Sequence, residues 1–161
     1  MRYVMRQKMF SLADSFQITD EGGHGAFVVS GKVFSFGKQL AFQDLEGQTL
    51  LSIKQEMLTF APAYEILKGD SPIAEVKKEM FNFFSYRFSI DLSGAAPMGA
   101  TGNFLDHEYV IARGETPVAT VSKQWFSLTD TYGVDIAAGE DDVLILAITV
   151  VIDMVCHPDH K

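Results

Sequence analysis

Three stretches of the chain share a pattern that brings polar chemistry onto an otherwise apolar strand face. Ile53-Lys54-Gln55-Glu56-Met57, Val76-Lys77-Lys78-Glu79-Met80 and Val121-Ser122-Lys123-Gln124-Trp125 align at offsets of 23 and 45 residues. Each is followed, 10 or 11 residues on, by a tyrosine: Tyr64, Tyr86 or Tyr132. Side chains alternate across a strand, so Leu51, Ile53, Gln55 and Met57 share a face, as do Ala74, Val76, Lys78 and Met80, and Ala119, Val121, Lys123 and Trp125. If these faces look inward, a polar residue interrupts each at the same place, and two of the three are lysines. A buried ammonium needs a partner or loses its charge. The complementary acid is Asp153, set in an apolar run near a helix C-terminus, where the helix dipole disfavours a carboxylate. Three arrangements are open: Lys78 or Lys123 pairs with Asp153; the two lysines and Gln55 line a small anion pocket at a barrel end; or both lysines snorkel to the rim along their alkyl stems.

Other chemistry-bearing residues carry weaker signals. Asp135, Glu140, Asp141 and Asp142 lack the spacing of a calcium loop and read as favourable charge at a helix start. Asp106-His107-Glu108 alternates sides of a strand, and Cys156-His157-Pro158-Asp159-His160 trails off a terminus, so no metal site is expected from either. Arg2, Arg6 and Lys8 form the acid-free basic stretch suited to face a membrane. No G-x-S-x-G, P-loop, dinucleotide glycine pattern or H-E-x-x-H occurs, so neither catalytic residues nor a cofactor are expected. Ser93 to Ala100 carries no basic residue and reads as a flexible loop.

The elements that must position these residues are mostly strands. Short β-rich segments run from Tyr3 to Ile136: 3–9, 15–19, 26–30, 32–36, 39–43, 49–58, 64–67, 73–81, 86–91, 102–105, 108–112, 118–126 and 132–136. Glu46-Gly47, Lys68-Gly69-Asp70 and Arg113-Gly114-Glu115 supply tight-turn chemistry between them. Repeats spaced by about one hairpin and then two suit a meander. The last stretch, about 140–156, opens with three carboxylates and continues as Val143-Leu144-Ile145-Leu146-Ala147-Ile148-Thr149-Val150-Val151-Ile152, with no polar face. A helix apolar all round must be surrounded on all sides, and a closed antiparallel barrel of about twelve strands does that. A central strand is the competing reading, and the length of the run argues against it.

Composition narrows the partners. A chain of 161 residues, 47% hydrophobic and 21% charged, suits one globular domain spanning 1–161. A net charge of −8 disfavours nucleic acid, which needs clustered positive charge. The single Cys156 rules out an intrachain disulfide, which suits the cytoplasm. Residues 1–8 lack the apolar run of a signal peptide, so no secretion is expected. The apolar run Val143 to Val155 would cover roughly 20 Å as a helix, short of the ~30 Å bilayer core, so no transmembrane span is expected.

The opening Met1-Arg2-Tyr3 to Gln17-Ile18, the Gly31-Lys32-Val33-Phe34-Ser35-Phe36-Gly37-Lys38 hairpin, and Thr129-Asp130-Thr131-Tyr132-Gly133-Val134-Asp135-Ile136 leading into the acid-capped helix are distinctive. Together they resemble the LURP-one-related family of the tubby C-terminal-like superfamily, to which phospholipid scramblases are related. The resemblance covers essentially the whole chain and implies a twelve-stranded closed barrel around a central hydrophobic C-terminal helix. In the wider superfamily it implies phosphoinositide or membrane association. The head-group residues of tubby proteins do not match this chain position by position and are not carried over. The expected function is a non-enzymatic, cytoplasmic tubby-like module at the membrane surface that binds a phospholipid head group or small anion, with Lys78, Lys123, Gln55 and Asp153 as candidate ligand residues. The alternative is a protein-interaction scaffold without a small ligand. Scramblase-like insertion is disfavoured by the short helix.

Overall fold

The computed structural model describes residues 1–8, 15–34, 37–82, 85–125 and 131–157, without the side chains of 7–8 and 32–34. They form twelve strands and one helix: β1 (Arg2–Lys8), β2 (Ser15–Asp20), β3 (Gly25–Phe34), β4 (Gly37–Asp44), β5 (Thr49–Glu56), β6 (Ala63–Lys68), β7 (Ser71–Met80), β8 (Tyr86–Leu92), β9 (Met98–Asn103), β10 (Glu108–Arg113), β11 (Thr116–Ser122), β12 (Thr131–Ile136) and α1 (Asp142–Cys156). Every strand pairs antiparallel with its sequence neighbour, and β1 closes the barrel on β12 through Arg2↔Asp135 to Arg6↔Thr131. Odd-numbered strands therefore run from the end where the helix starts, the base, toward the end where it finishes, the mouth.

Alternation places one side of each strand on the helix. Phe16 and Ile18, Leu51 and Ile53, Ala74 and Val76, Phe88 and Ile90, and Tyr109 and Ile111 are buried inward pairs. The helix fills the lumen, with all ten residues from Ile145 to Met154 buried. Ten consecutive residues span nearly three helical turns, so every face is covered, as an all-apolar helix requires. Asp141 caps the start, its carboxylate accepting from Leu144 N at 3.2 Å.

The four acids at this end have separate structural tasks. Glu140 forms a two-pronged pair with Arg113 at 3.0 and 3.1 Å, Asp142 accepts from the Tyr3 hydroxyl at 2.7 Å, and Asp135 lies 3.5 Å from Arg2. Burial raises the Tyr3 hydroxyl to about 12, and its bond to Asp142 adds to the shift.

Several segment boundaries differ from the sequence reading. Segment 26–30 and residues 32–34 of the segment read as 32–36 belong to one strand, β3, because Gly31 continues the pairing opposite Leu40; residues 35–36 lie outside the described residues. A Cβ at Gly31 would stand 2.7 Å from Leu40 Cγ, so that glycine makes room for a leucine and marks no turn. The stretch read as a flexible loop to Ala100 contributes β9 from Met98 onward, since Met98 and Ala100 point into the core. The helix begins at Asp142, two residues later than read. The third repeat also departs from its siblings: β11 stops at Ser122, and Trp125 lies on the outer wall with the Arg2 guanidinium 4.0 Å from its ring.

Candidate functional site

The mouth of the barrel gathers most of the chain's unusual chemistry around the last turn of α1. Asp153 is 3% exposed, and that last turn contains no basic residue to offset the helix dipole. Its Oδ1 lies 3.1 Å from His107 Nε2, and its Oδ2 accepts from the Tyr132 hydroxyl at 3.1 Å. His157, which follows the helix and donates its backbone N–H to Asp153 O at 2.8 Å, holds Nε2 3.9 Å from the same Oδ1. The three rings stack: Tyr132 on His107 with centroids 4.2 Å apart, and His107 on His157 at 4.5 Å and 9°. One buried carboxylate thus faces the edges of a tyrosine and two imidazoles. Burial, and secondarily the Asp153 charge, raises the Tyr132 hydroxyl well above its ordinary value.

The turn from Phe104 to His107 presents the first histidine. Asn103 and Asp106 join their side chains at 2.8 Å, and His107 N donates to Phe104 O at 3.2 Å. His107 takes φ 53°, the only positive φ outside glycine among the described residues. That conformation is costly for a side chain with a Cβ, and strained backbone of this kind concentrates at working sites. Beneath the turn, Phe104 packs against Tyr86, Phe88 and Tyr109 at 5.0–5.3 Å.

The expected lysine partners of Asp153 are corrected by this arrangement. Lys78 lies over the Tyr86 ring at 4.1 Å, and among the described residues neither lysine forms an ion pair with Asp153. The reason is reach: β7 and the turn after β11 carry the lysines to the mouth, where each is half-buried, while His107 and Tyr132 reach the Asp153 carboxylate. Gln55 accepts from Lys38 N at 3.0 Å, which ties β5 to the start of β4. Glu108 accepts from the backbone N–H of Lys123 at 2.9 Å and from Ser122 Oγ at 3.0 Å, closing the turn after β11. No hydrogen bond or ion pair among the described residues joins Gln55, Lys78 and Lys123. Of the basic stretch, Arg2 is held by Asp135 and Trp125, Arg6 is exposed on the outer wall, and the Lys8 side chain lies outside the described residues.

His107 and His157 belong to the two motifs set aside on sequence grounds. They are 50 residues apart, so no local spacing announces them; only closure of the barrel brings them together.

Cys156 lies beside this cluster, its Sγ 3.7 Å from the Tyr86 hydroxyl. Burial pushes the thiol up to about 11 from 9.0. That rise lowers the thiolate fraction at pH 8 about 100-fold. Alkylation by iodoacetamide at pH 8 is therefore expected to run about 100-fold slower in the native protein than in urea. Equal rates in the two conditions would show the thiol to be unprotected.

Comparison with known proteins fits this architecture. The family profile described as LURP-one-related matches residues 1–153. The chain is 37% identical over 155 residues to the uncharacterised protein YxjI of Bacillus subtilis (strain 168), covering 96% of this chain and 93% of that protein. An X-ray structure of an Arabidopsis thaliana protein superposes with a TM-score of 0.69 at 18% identity, covering 96% of this chain and 91% of that one, a likeness of fold. The twelve-stranded barrel, its helical plug and the match along nearly all of its length place this chain in the LURP-one-related family.

Proposed function

We propose that the protein is a non-enzymatic binding module whose working surface is the mouth of the barrel. It rests that surface on the cytoplasmic face of a phospholipid bilayer, as a peripheral protein, with head groups beside Lys78 and Lys123. The observation that carries the reading is the distribution of exposed apolar side chains. Nine large ones are exposed among the described residues, and six of them, Met57, Leu58, Phe60, Met80, Phe81 and Leu105, stand at the mouth. Leu58 and Phe60 are fully exposed, on the connection between β5 and β6. Apolar side chains clustered on one end of a protein mark a contact surface. Lysines behind such a rim suit phosphate groups, because their stems lie along apolar surface while the ammonium reaches polar atoms. No described helix is long and apolar enough to cross a membrane, so insertion falls to the rim side chains.

The net charge of −8 opposes anionic membranes at long range, so affinity must come from apolar insertion more than from attraction between charges. Burying a leucine or phenylalanine is worth about 1.5–3 kcal/mol each. The double variant Leu58→Ser/Phe60→Ser is accordingly expected to weaken partitioning about 100-fold or more, at 1.4 kcal/mol per tenfold. The measurement is co-sedimentation with vesicles of phosphatidylcholine, with and without phosphatidylserine. Failure of the unmodified protein to pellet with either vesicle at low salt ends the lipid reading and leaves the same rim as a protein-docking surface.

A further inference from the structure

We infer that His107, Asp153 and His157 form a binding site for a divalent transition-metal ion at the mouth of the barrel. The ligand atoms lie within 4.8 Å of one another, although His107 comes from the turn between β9 and β10 and His157 from the end of the helix. Tetrahedral zinc, with ligands 2.0–2.2 Å away, separates its donor atoms by about 3.3–3.6 Å. The 3.1 Å between His107 Nε2 and Asp153 Oδ1 is already close to that spacing, and His157 Nε2 at 3.9 Å from the same oxygen needs a small displacement.

Electrostatics favour a cation here. Asp153 is buried at the negative end of a helix dipole, and among the described residues neither a lysine nor an arginine is paired with it. His107 presents its ring from a left-handed backbone, held by Asp153 at 3.1 Å and by the stack on Tyr132.

The donor set selects the metal. Two imidazoles and one carboxylate suit zinc, cobalt or nickel, whereas calcium and magnesium prefer oxygen ligands throughout. Three protein ligands leave a fourth position open toward the mouth. Binding carries two costs. Parallel imidazoles 4.5 Å apart cannot both hold one ion in their ring planes, so His157 must turn out of the stack. Turning it also gives up the contact of its Nε2 with Phe104 O, 3.3 Å away, although the side chain is 20% exposed. Coordination also moves the His107 proton to Nδ1, which is buried without a partner.

Cobalt(II) titrated into the full chain provides the test, followed by its visible d–d absorption, with zinc(II) titrated by calorimetry. The unmodified protein is expected to give the intense bands of four-coordinate cobalt and one zinc per chain. His157→Ala, which removes a ligand beyond the helix and leaves the core intact, is expected to weaken zinc at least about tenfold and to abolish the bands. His24→Ala, at the base beside Asp20, serves as the control and is expected to change neither. Cobalt spectra no stronger than those of the aqueous ion, or equal zinc affinity in His157→Ala, would overturn the site.

Discussion

Replacing Asp153 by alanine is expected to destabilise the barrel by about 3–5 kcal/mol, the cost of breaking a buried polar pair by removing one partner. The loss comes less from the carboxylate than from what it leaves behind. The Tyr132 hydroxyl, 2% exposed, loses its acceptor, and so does His107 in its strained turn. Each orphaned buried group costs about 1–3 kcal/mol. Asp153→Asn keeps an oxygen for Tyr132 and matches the volume, so it is expected to cost about 1–2 kcal/mol by the same reasoning. Urea unfolding followed by circular dichroism measures both. An alanine variant within about 0.5 kcal/mol of the unmodified protein, the range of neutral surface changes, would mean that the stacked rings hold themselves without the acid.

The second large effect is backbone in origin. Gly102 in β9 pairs with Tyr109 at φ 141°, and a Cβ there would lie 2.6 Å from Glu108 O and 2.6 Å from Tyr109 Cα. Both atoms belong to the neighbouring strand's backbone, so neither can rotate away as a side chain would. Gly102→Ala is expected to lose about 3 kcal/mol or more, from the strained φ together with the overpacking. It should also disturb the turn that presents His107, which begins two residues later at Phe104. A melting temperature unchanged from the parent would contradict this. Gly114, with φ 60° but open space around its would-be Cβ, is the matched comparison: alanine there meets the conformational cost alone.

The two substitutions bear differently on what could be read in advance. The helix was legible because an all-apolar run too long for an ordinary strand and too short for a bilayer has few physical solutions, and ten consecutive buried residues realise one of them. The strand alternation was legible for the same kind of reason, since a period of two reports which side faces the core. Boundaries shifted where a glycine had a second use. Gly31 reads as a break by composition, yet it accommodates Leu40, a fact held in the neighbouring strand and not in its own sequence context.

The site followed the same division. Gln55, Lys78 and Lys123, expected to interrupt the inward faces, are each half-buried near the mouth, and Met57, Met80 and Trp125, the next residues on those faces, are exposed. Their partners could not be read. Alternation specifies a side of the sheet but not a height or an azimuth around the barrel, and those coordinates decide which side chain reaches Asp153. By itself the sequence determined a closed sheet, an apolar plug and one acid within that plug needing a partner. Only the tertiary structure chose that partner, because His107, Tyr132 and His157 lie at least 25 residues apart in the chain and meet where the barrel closes around the helix end. Local patterns carry burial, whereas the match of one charge to one donor is a property of distances that exist only once the chain has folded.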